Sequence, residues 1–333
     1  MYSLDNIHDI GSQLNRPECV LTTSNQRIYC SNWDGGVTVI EKDGHQHSIL
    51  ANNLDFELKP NGICLLEDGS FLVAHLGAEK GGVFQLFSDG TAKPFITFVD
   101  GQDLPPTNFV HLDYQGRIWI TVSTRTTPRA DAYRSDVQDG FIILYEHGKA
   151  RIVADNLGYT NECVVSQDGQ YLYVNETFSR RLSRFNINPN GDLSNKKIIT
   201  TFGKGIFPDG LVVDEDGYFW ITSIISNQVI RVSPDGKNQV TQLIDVEASH
   251  LDWVEDAFLS NSVGRPHLDQ VKSKRLKNIS SLAFHGESRN TIILGCLLGN
   301  QISSFKQSHT GLSPSHWHFK GPLISIFQPE KKK

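Results

Sequence analysis

Five oxygen-bearing side chains, Glu18, Asn61, Asn108, Asn161 and Asp209, hold the same place in a unit that recurs along a chain of 333 residues. Each stands seven positions before the first residue of a turn, at Asn25, Asp68, Gln115, Asp168 and Asp216 respectively. A sixth, weaker copy begins at Ser280. Brought together, two carboxylates, three amides and a hydroxyl make a set of hard oxygen ligands without sulfur. Such a set suits Ca2+, accepts Mg2+ or Mn2+, and suits Zn2+ less well. Asn and Asp also lead turns by bonding their own backbone. That accounts for one or two copies but not for Glu18, because Glu is a poor turn former.

The elements that must position these groups are short strands. In the clearest copy, Phe207-Pro208-Asp209-Gly210 leads into Leu211–Val213, an Asp216-Gly217 turn, and Tyr218–Thr222. An Asp-Gly pair between two β-rich runs is a strong hairpin signal. The leading residues are spaced by 43, 47, 53, 48 and 71 positions. Periods of ~40–50 residues with several short strands each read as propeller blades. A third strand follows each hairpin, as in Gln228–Val232, then a second turn such as Pro234-Asp235-Gly236 and a fourth strand. The prediction is an all-β, six-bladed β-propeller with four-stranded antiparallel blades, spanning residues 1–333 as one domain. Segments near Leu4–Ile10 and Leu323–Phe327 are expected to complete one blade between them, removing exposed sheet edges. Two insertions break the period. One, at 125–138, is rich in arginine and is expected to form a lid-like loop in the third blade. The other, at 247–274, carries Trp253, Val254, Ala257 and Phe258 at the spacing of a short amphipathic helix.

Composition narrows the function. Hydrophobic residues are 38% and charged residues 20%, with net charge −6 and a pI near 6.0. A nucleic-acid partner needs a basic face, which this balance opposes. No apolar run approaches the ~20 residues of a membrane helix. The N-terminal residues show neither the charged nor the apolar region of a secretory signal. The cysteines, Cys19, Cys30, Cys64, Cys163 and Cys296, are odd in number and widely scattered, as expected of buried free thiols in a reducing compartment. A cytoplasmic protein, monomeric or weakly homo-oligomeric, is the expectation.

The segments Pro17-Glu18, Tyr159-Thr160-Asn161-Glu162 and Phe207-Pro208-Asp209-Gly210-Leu211 resemble the metal-binding segments of the senescence marker protein (regucalcin) / gluconolactonase / luciferin-regenerating-enzyme family. The resemblance runs from about Arg16 to Phe305. It implies a six-bladed propeller with one catalytic divalent ion, and lactone hydrolysis as the usual activity. It further implies that Glu18, Asn161 and Asp209 are the protein ligands, that Asp209 is also the general base or nucleophile, and that Asn108 contacts substrate or ligates. In the family a polar residue, often Arg, stands two positions before Asn108. Here that residue is Pro106, and the arginines of the 125–138 insertion are expected to supply the missing charge.

The chemistry is consistent with that resemblance. A divalent ion with open positions polarises a carbonyl as a Lewis acid and stabilises charge on its oxygen. Asp209 would position or deprotonate the attacking water. The expected substrate is a small lactone or ester. Asn108, Asn61, Arg125, Arg129 and His75 are the expected substrate contacts, the arginines because they can grip a carboxylate or phosphate bidentately. Two alternatives remain: a phosphotriesterase-like hydrolase on the same site, and a non-enzymatic calcium-binding propeller. Glu176 is expected to pair with Arg180, Arg181 or Arg184, and Trp119 and Trp220 to pack between blades. His309, His316 and His318 are too irregular for a zinc motif and read as surface or strand residues.

Overall fold

The computed structural model describes residues 1–323. It forms six antiparallel four-stranded blades arranged as a six-bladed β-propeller. The first blade comprises Val20–Thr22, Ile28–Asn32, Gly36–Ile40 and Gln46–Leu50. The second comprises Pro60–Leu65, Phe71–His75, Val83–Leu86 and Ala92–Ile96. Phe109–Leu112, Ile118–Val122, Gly140–Glu146 and Lys149–Leu157 form the third. Thr160–Val165, Tyr171–Glu176, Arg181–Ile187 and Leu193–Thr201 form the fourth. Phe207–Val213, Phe219–Ile224, Gln228–Val232 and Gln239–Ile244 form the fifth. The sixth takes Ile279–His285, Thr291–Cys296 and Ile302–Lys306 from the end of the chain and His8–Ile10 from its beginning.

That last pairing closes the ring. His8 lies opposite Ser304 and Ile10 opposite Ile302, so the beginning and the end of the chain are tied by backbone hydrogen bonds within the sixth blade. The N-terminal half of the expected closure is therefore present. Leu323 lies in no strand, and the rest of the Leu323–Phe327 segment falls outside the described residues. Residues 307–323 instead run beneath the propeller. Ser315 Oγ donates to Leu112 O at 2.6 Å, Ser24 N donates to Trp317 O at 2.8 Å, and Arg27 Nη1 donates to Lys320 O at 2.9 Å. This path corrects the reading of His316 as a surface or strand residue: it lies outside the strands, buried where the segment crosses the axis.

Strand pleating explains the core. Side chains alternate across each sheet, and both faces of an inner blade are covered by neighbouring blades. Second strands such as Phe71–His75 and Ile118–Val122 are consequently buried at every position. Trp119 and Trp220 are fully buried, and each indole N–H meets a carboxylate. Trp119 Nε1 donates to Asp113 Oδ2 at 2.8 Å, and Trp220 Nε1 donates to Asp214 Oδ2 at 2.9 Å. Both carboxylates also cap their own turn through backbone N–H groups and bind an arginine, Arg117 or Arg231. All five cysteines are buried and free.

The two insertions meet over one face of the ring. The helix Ala248–Leu259 buries Val254 and Ala257, which join Tyr133, Tyr159, Phe178 and Phe207 in one apolar cluster. Trp253 is 41% exposed and stacks on His267, with ring centroids 4.1 Å apart. Arg180 pins the helix to the propeller through Glu255, at 2.7 Å, with its guanidinium over Phe258. Glu176 instead pairs with Arg181 at 2.5 Å and Lys196 at 2.9 Å.

Candidate active site

Local backbone irregularity aims the leading residues at the axis. In the second, fourth, fifth and sixth blades the innermost strand shifts register against its neighbour between Pro60 and Ile63, Thr160 and Cys163, Pro208 and Leu211, and Ile279 and Leu282. Each is a bulge, with two residues opposing one, and a bulge re-aims the side chain it carries. The leading residue takes the first bulge position every time. Glycine takes the second position in two copies because the neighbouring blade is close. A Cβ on Gly62 would stand 2.6 Å from Phe109 Cα, and one on Gly210 would stand 2.5 Å from Ser280 O.

Glu18, Asn61, Asn108, Asn161 and Asp209 all line one cavity at the mouth of the axis. Ser280 does not: its hydroxyl donates to the backbone oxygen of Glu18 at 2.8 Å. The amides form a continuous chain. Arg16 Nη2 donates to Glu18 Oε2 at 2.7 Å. Asn61 Nδ2 donates to Asn108 Oδ1 at 3.2 Å, Asn108 Nδ2 to Asn161 Oδ1 at 2.5 Å, and Asn161 Nδ2 to Thr177 Oγ1 at 3.1 Å. Arg129 Nη2 donates to Asn108 Oδ1 at 3.3 Å.

The acceptors left over are informative. Glu18, Asn161 and Asp209 are only 8%, 7% and 5% exposed. Among the described residues, Asp209 receives no hydrogen bond to its carboxylate, and Glu18 receives one, from Arg16, to a single oxygen. Asn161 Oδ1 has accepted one bond and keeps a second lone pair. Burying carboxylates without partners is costly. Burial pushes the Asp209 carboxyl well above its ordinary range; the charges of Glu18 and Glu162 add to this, and Arg16 and Arg129 oppose it. Free carboxylate and amide oxygens converging on one cavity fit a hard divalent cation.

The structure separates the other expected residues. Arg129 lines the mouth, whereas Arg125 is not among the lining residues. Its guanidinium grips Asp155 at 2.8 and 3.0 Å and lies over Phe141, holding the root of the insertion. His75 lines a separate side pocket with Phe56, Lys59 and Phe84. There Lys59 N donates to His75 Nδ1 at 2.9 Å, and burial lowers the imidazole pKa to about 4.

Several mouth residues carry no repeat signal: Arg16, Tyr133, Tyr159, Phe178 and Arg265. Glu162 is another omission. It occupies the bulge position held by Gly62 and Gly210, and its side chain drops into the axis below the mouth. There it lines a second, largely apolar cavity of about 100 Å³, closed from beneath by Leu312, Pro314 and His316. Leu211 N donates to Glu162 Oε2 at 2.9 Å. Burial, with the Glu18 charge adding, pushes the Glu162 pKa up to about 8. The signal was a glutamate standing where two other copies have glycine.

One acidic group lies elsewhere. Asp214, Asp216 and His309 converge within 4.8 Å, but Asp214 is already occupied by Arg231, Trp220 and two backbone N–H groups.

A family model described as "SMP-30/Gluconolactonase/LRE-like region" matches residues 16–250, a span that holds Glu18, Asn161 and Asp209. The chain belongs to this family. Within the gluconolactonase-like family, a 6-deoxy-6-sulfogluconolactonase of Pseudomonas putida is 26% identical over 178 residues. That match covers 52% of this chain and 57% of the relative, so it spans little more than half the relative's length. A solved gluconolactonase from Xanthomonas campestris superposes with TM-score 0.66 at 17% identity, covering 91% of this chain and 89% of that one. A calcium-binding regucalcin from Agrobacterium tumefaciens gives 0.64 at 14% identity, covering 95% of each. At such identities the structural matches establish the fold. Among the described residues, no helix is long and apolar enough to cross a membrane.

A pH prediction follows from Glu162. Its folded pKa, about 8, lies above the ordinary 4.5. Between those values the native chain binds more protons than the unfolded chain, so stability falls as pH rises. Thermal scans in chelator from about pH 5 to about pH 9 are expected to show a falling Tm, a loss on the order of a few kcal/mol. Asp209, raised for similar reasons, adds to the same trend. Divalent cation is expected to restore Tm most at the alkaline end.

Proposed function

We propose that this protein is a divalent-metal-dependent lactonase that opens a sugar-type or other small lactone by attack of water. One observation carries the reading: two buried carboxylates, Glu18 and Asp209, share one cavity with Asn161 and keep oxygens that nothing in the described chain satisfies. Family membership and the lactonase name of the Pseudomonas relative support it, and the calcium-binding regucalcin supports Ca2+ as the ion. Glu18, Asn161 and Asp209 would hold the cation, which when bound supplies Lewis-acid polarisation of a carbonyl oxygen.

The remaining work falls to the chain. Asp209, free of hydrogen-bond donors, orients a water and takes its proton. Asn108 is fixed by Asn61, Asn161 and Arg129 and positions the substrate against the carboxylates. The aromatic wall of Tyr133, Tyr159 and Phe178, with ring centroids 4.7–5.5 Å apart, excludes bulk water and strengthens every charge interaction inside. The free cysteines suit a reducing compartment such as the cytoplasm.

The test is a lactone panel assayed with metal-stripped protein reconstituted separately with Ca2+, Mn2+, Mg2+ and Zn2+. Stripping is expected to lower kcat by about 10³-fold or more, with recovery on adding back at least one ion. An organophosphate ester in the same panel checks the phosphotriesterase alternative. Stoichiometric cation binding without turnover of any lactone or ester would leave a binding protein instead.

A further inference from the structure

The charges at the mouth do not balance once the carboxylates are committed to a cation. Three arginines, Arg16, Arg129 and Arg265, line a cavity that holds two carboxylates. Arg16 is spent on Glu18 at 2.7 Å, and Arg265 pairs with Asp269 at 2.5 Å. Arg129 has no carboxylate within 4.0 Å among the described residues. Its Nη2 is anchored by Asn108 Oδ1 at 3.3 Å and Ser123 Oγ at 3.2 Å, and its guanidinium stands 5.5 Å from the Tyr159 ring centroid. Among the described residues, no hydrogen bond engages Nη1. A half-buried guanidinium held on one side and unpaired on the other is arranged to receive an anion, because charge-assisted bonds to arginine are the strong ones.

We infer that the substrate carries an anionic group, a carboxylate, phosphate or sulfonate, and that Arg129 is the residue that reads it. The inference rests on the lactonase reading for the rest of the substrate but not for the anion site itself. The two insertions make the site, since Arg129 comes from the third-blade insertion and Arg265, at the rim, from the segment before the sixth blade. Neither is placed by the blade repeat, so the anion preference would belong to this chain's insertions rather than to the ring of leading residues.

Two measurements test it. The first is calorimetric binding of unreactive sugars (glucose, glucuronate, glucose 6-phosphate and a 6-sulfonated glucose) to the metal-loaded protein and to Arg129→Gln, Arg129→Lys and Arg134→Ala. At least one anionic sugar is expected to bind about 10–100-fold more tightly than glucose. Arg129→Gln should abolish that difference, Arg129→Lys should keep part of it, and Arg134→Ala, on the exposed side of the same insertion, should leave it intact. Which anion gains most identifies the group. The second is kcat/KM on matched neutral and anionic lactones. Arg129→Gln is expected to lower the anionic value by about 10–100-fold more than the neutral value, which falls only by what looser anchoring of Asn108 costs. Equal binding of neutral and anionic sugars by the wild type overturns the inference, as does an equal loss on both lactones, which would give Arg129 a transition-state role. Arg129-dependent anion binding without turnover of any lactone would sink the lactonase reading and keep the anion site. Rapid opening of neutral lactones, unaffected by Arg129→Gln and without anion binding, would do the reverse.

Discussion

Asp209→Asn is expected to lower kcat for lactone opening by about 10³-fold or more while the propeller stays folded. The carboxamide has nearly the same shape, so the bulge at Asp209-Gly210 survives, as do the bonds that the Asn175 side-chain amide donates to the backbone oxygens of Asp209 and Gly210. What is lost is one negative charge and, among the described residues, the only carboxylate at the mouth with both oxygens free. The same change removes a like charge from beside Glu18 and Glu162. The metal-free variant should therefore match or exceed the wild type in Tm at alkaline pH, where wild-type Asp209 is forced to ionise. Activity and stability should move in opposite directions, a result that a general unfolding effect does not give. Wild-type turnover in the variant would remove Asp209 from the chemistry.

Asp214→Ala is expected to do the opposite, costing stability and leaving the mouth alone. Asp214 receives Trp220 Nε1 at 2.9 Å, Arg231 Nε at 2.9 Å, and the backbone N–H groups of Asp216 and Tyr218. Truncation strands a buried indole N–H and a mostly buried guanidinium. Breaking a buried pair of this kind costs about 3–5 kcal/mol, which lowers Tm by roughly 10 °C in a chain of this size. Thermal unfolding measures the loss, and cation affinity at the mouth should stay within about twofold of the wild type. A large drop in cation affinity with little change in Tm would instead make Asp214, Asp216 and His309 a metal site.

The sequence disclosed the ring of leading residues because a residue type recurs at a fixed register, and in four of the blades a backbone device recurs with it. A bulge two residues long, placed at a constant distance before a turn, shows up as a fixed register. Side chains brought to the mouth by other means left no such trace. Arg265 and Tyr133 arrive there because two insertions pack on each other, a contact between segments more than a hundred residues apart. His75 follows the repeat by position, yet the backbone N–H of Lys59 and the rings of Phe56 and Phe84 turn it into a side pocket. Arg125 sits in the expected insertion, but Asp139 and Asp155 claim its guanidinium. Closure of the ring was only half legible. Both ends of the chain carry short apolar runs, and pattern alone does not say which one pairs with Ile302–Ser304.

The central claim is that Glu18, Asn161 and Asp209 together hold a divalent cation. A crystal structure of the protein with Mn2+, read by anomalous scattering and repeated with Ca2+, tests it most directly. The predicted result is one ion at the mouth with oxygens of all three residues bound to it, at roughly 2.3–2.6 Å when the ion is Ca2+. An ion bound only elsewhere, or a mouth that stays free of metal at saturating concentration, would contradict it.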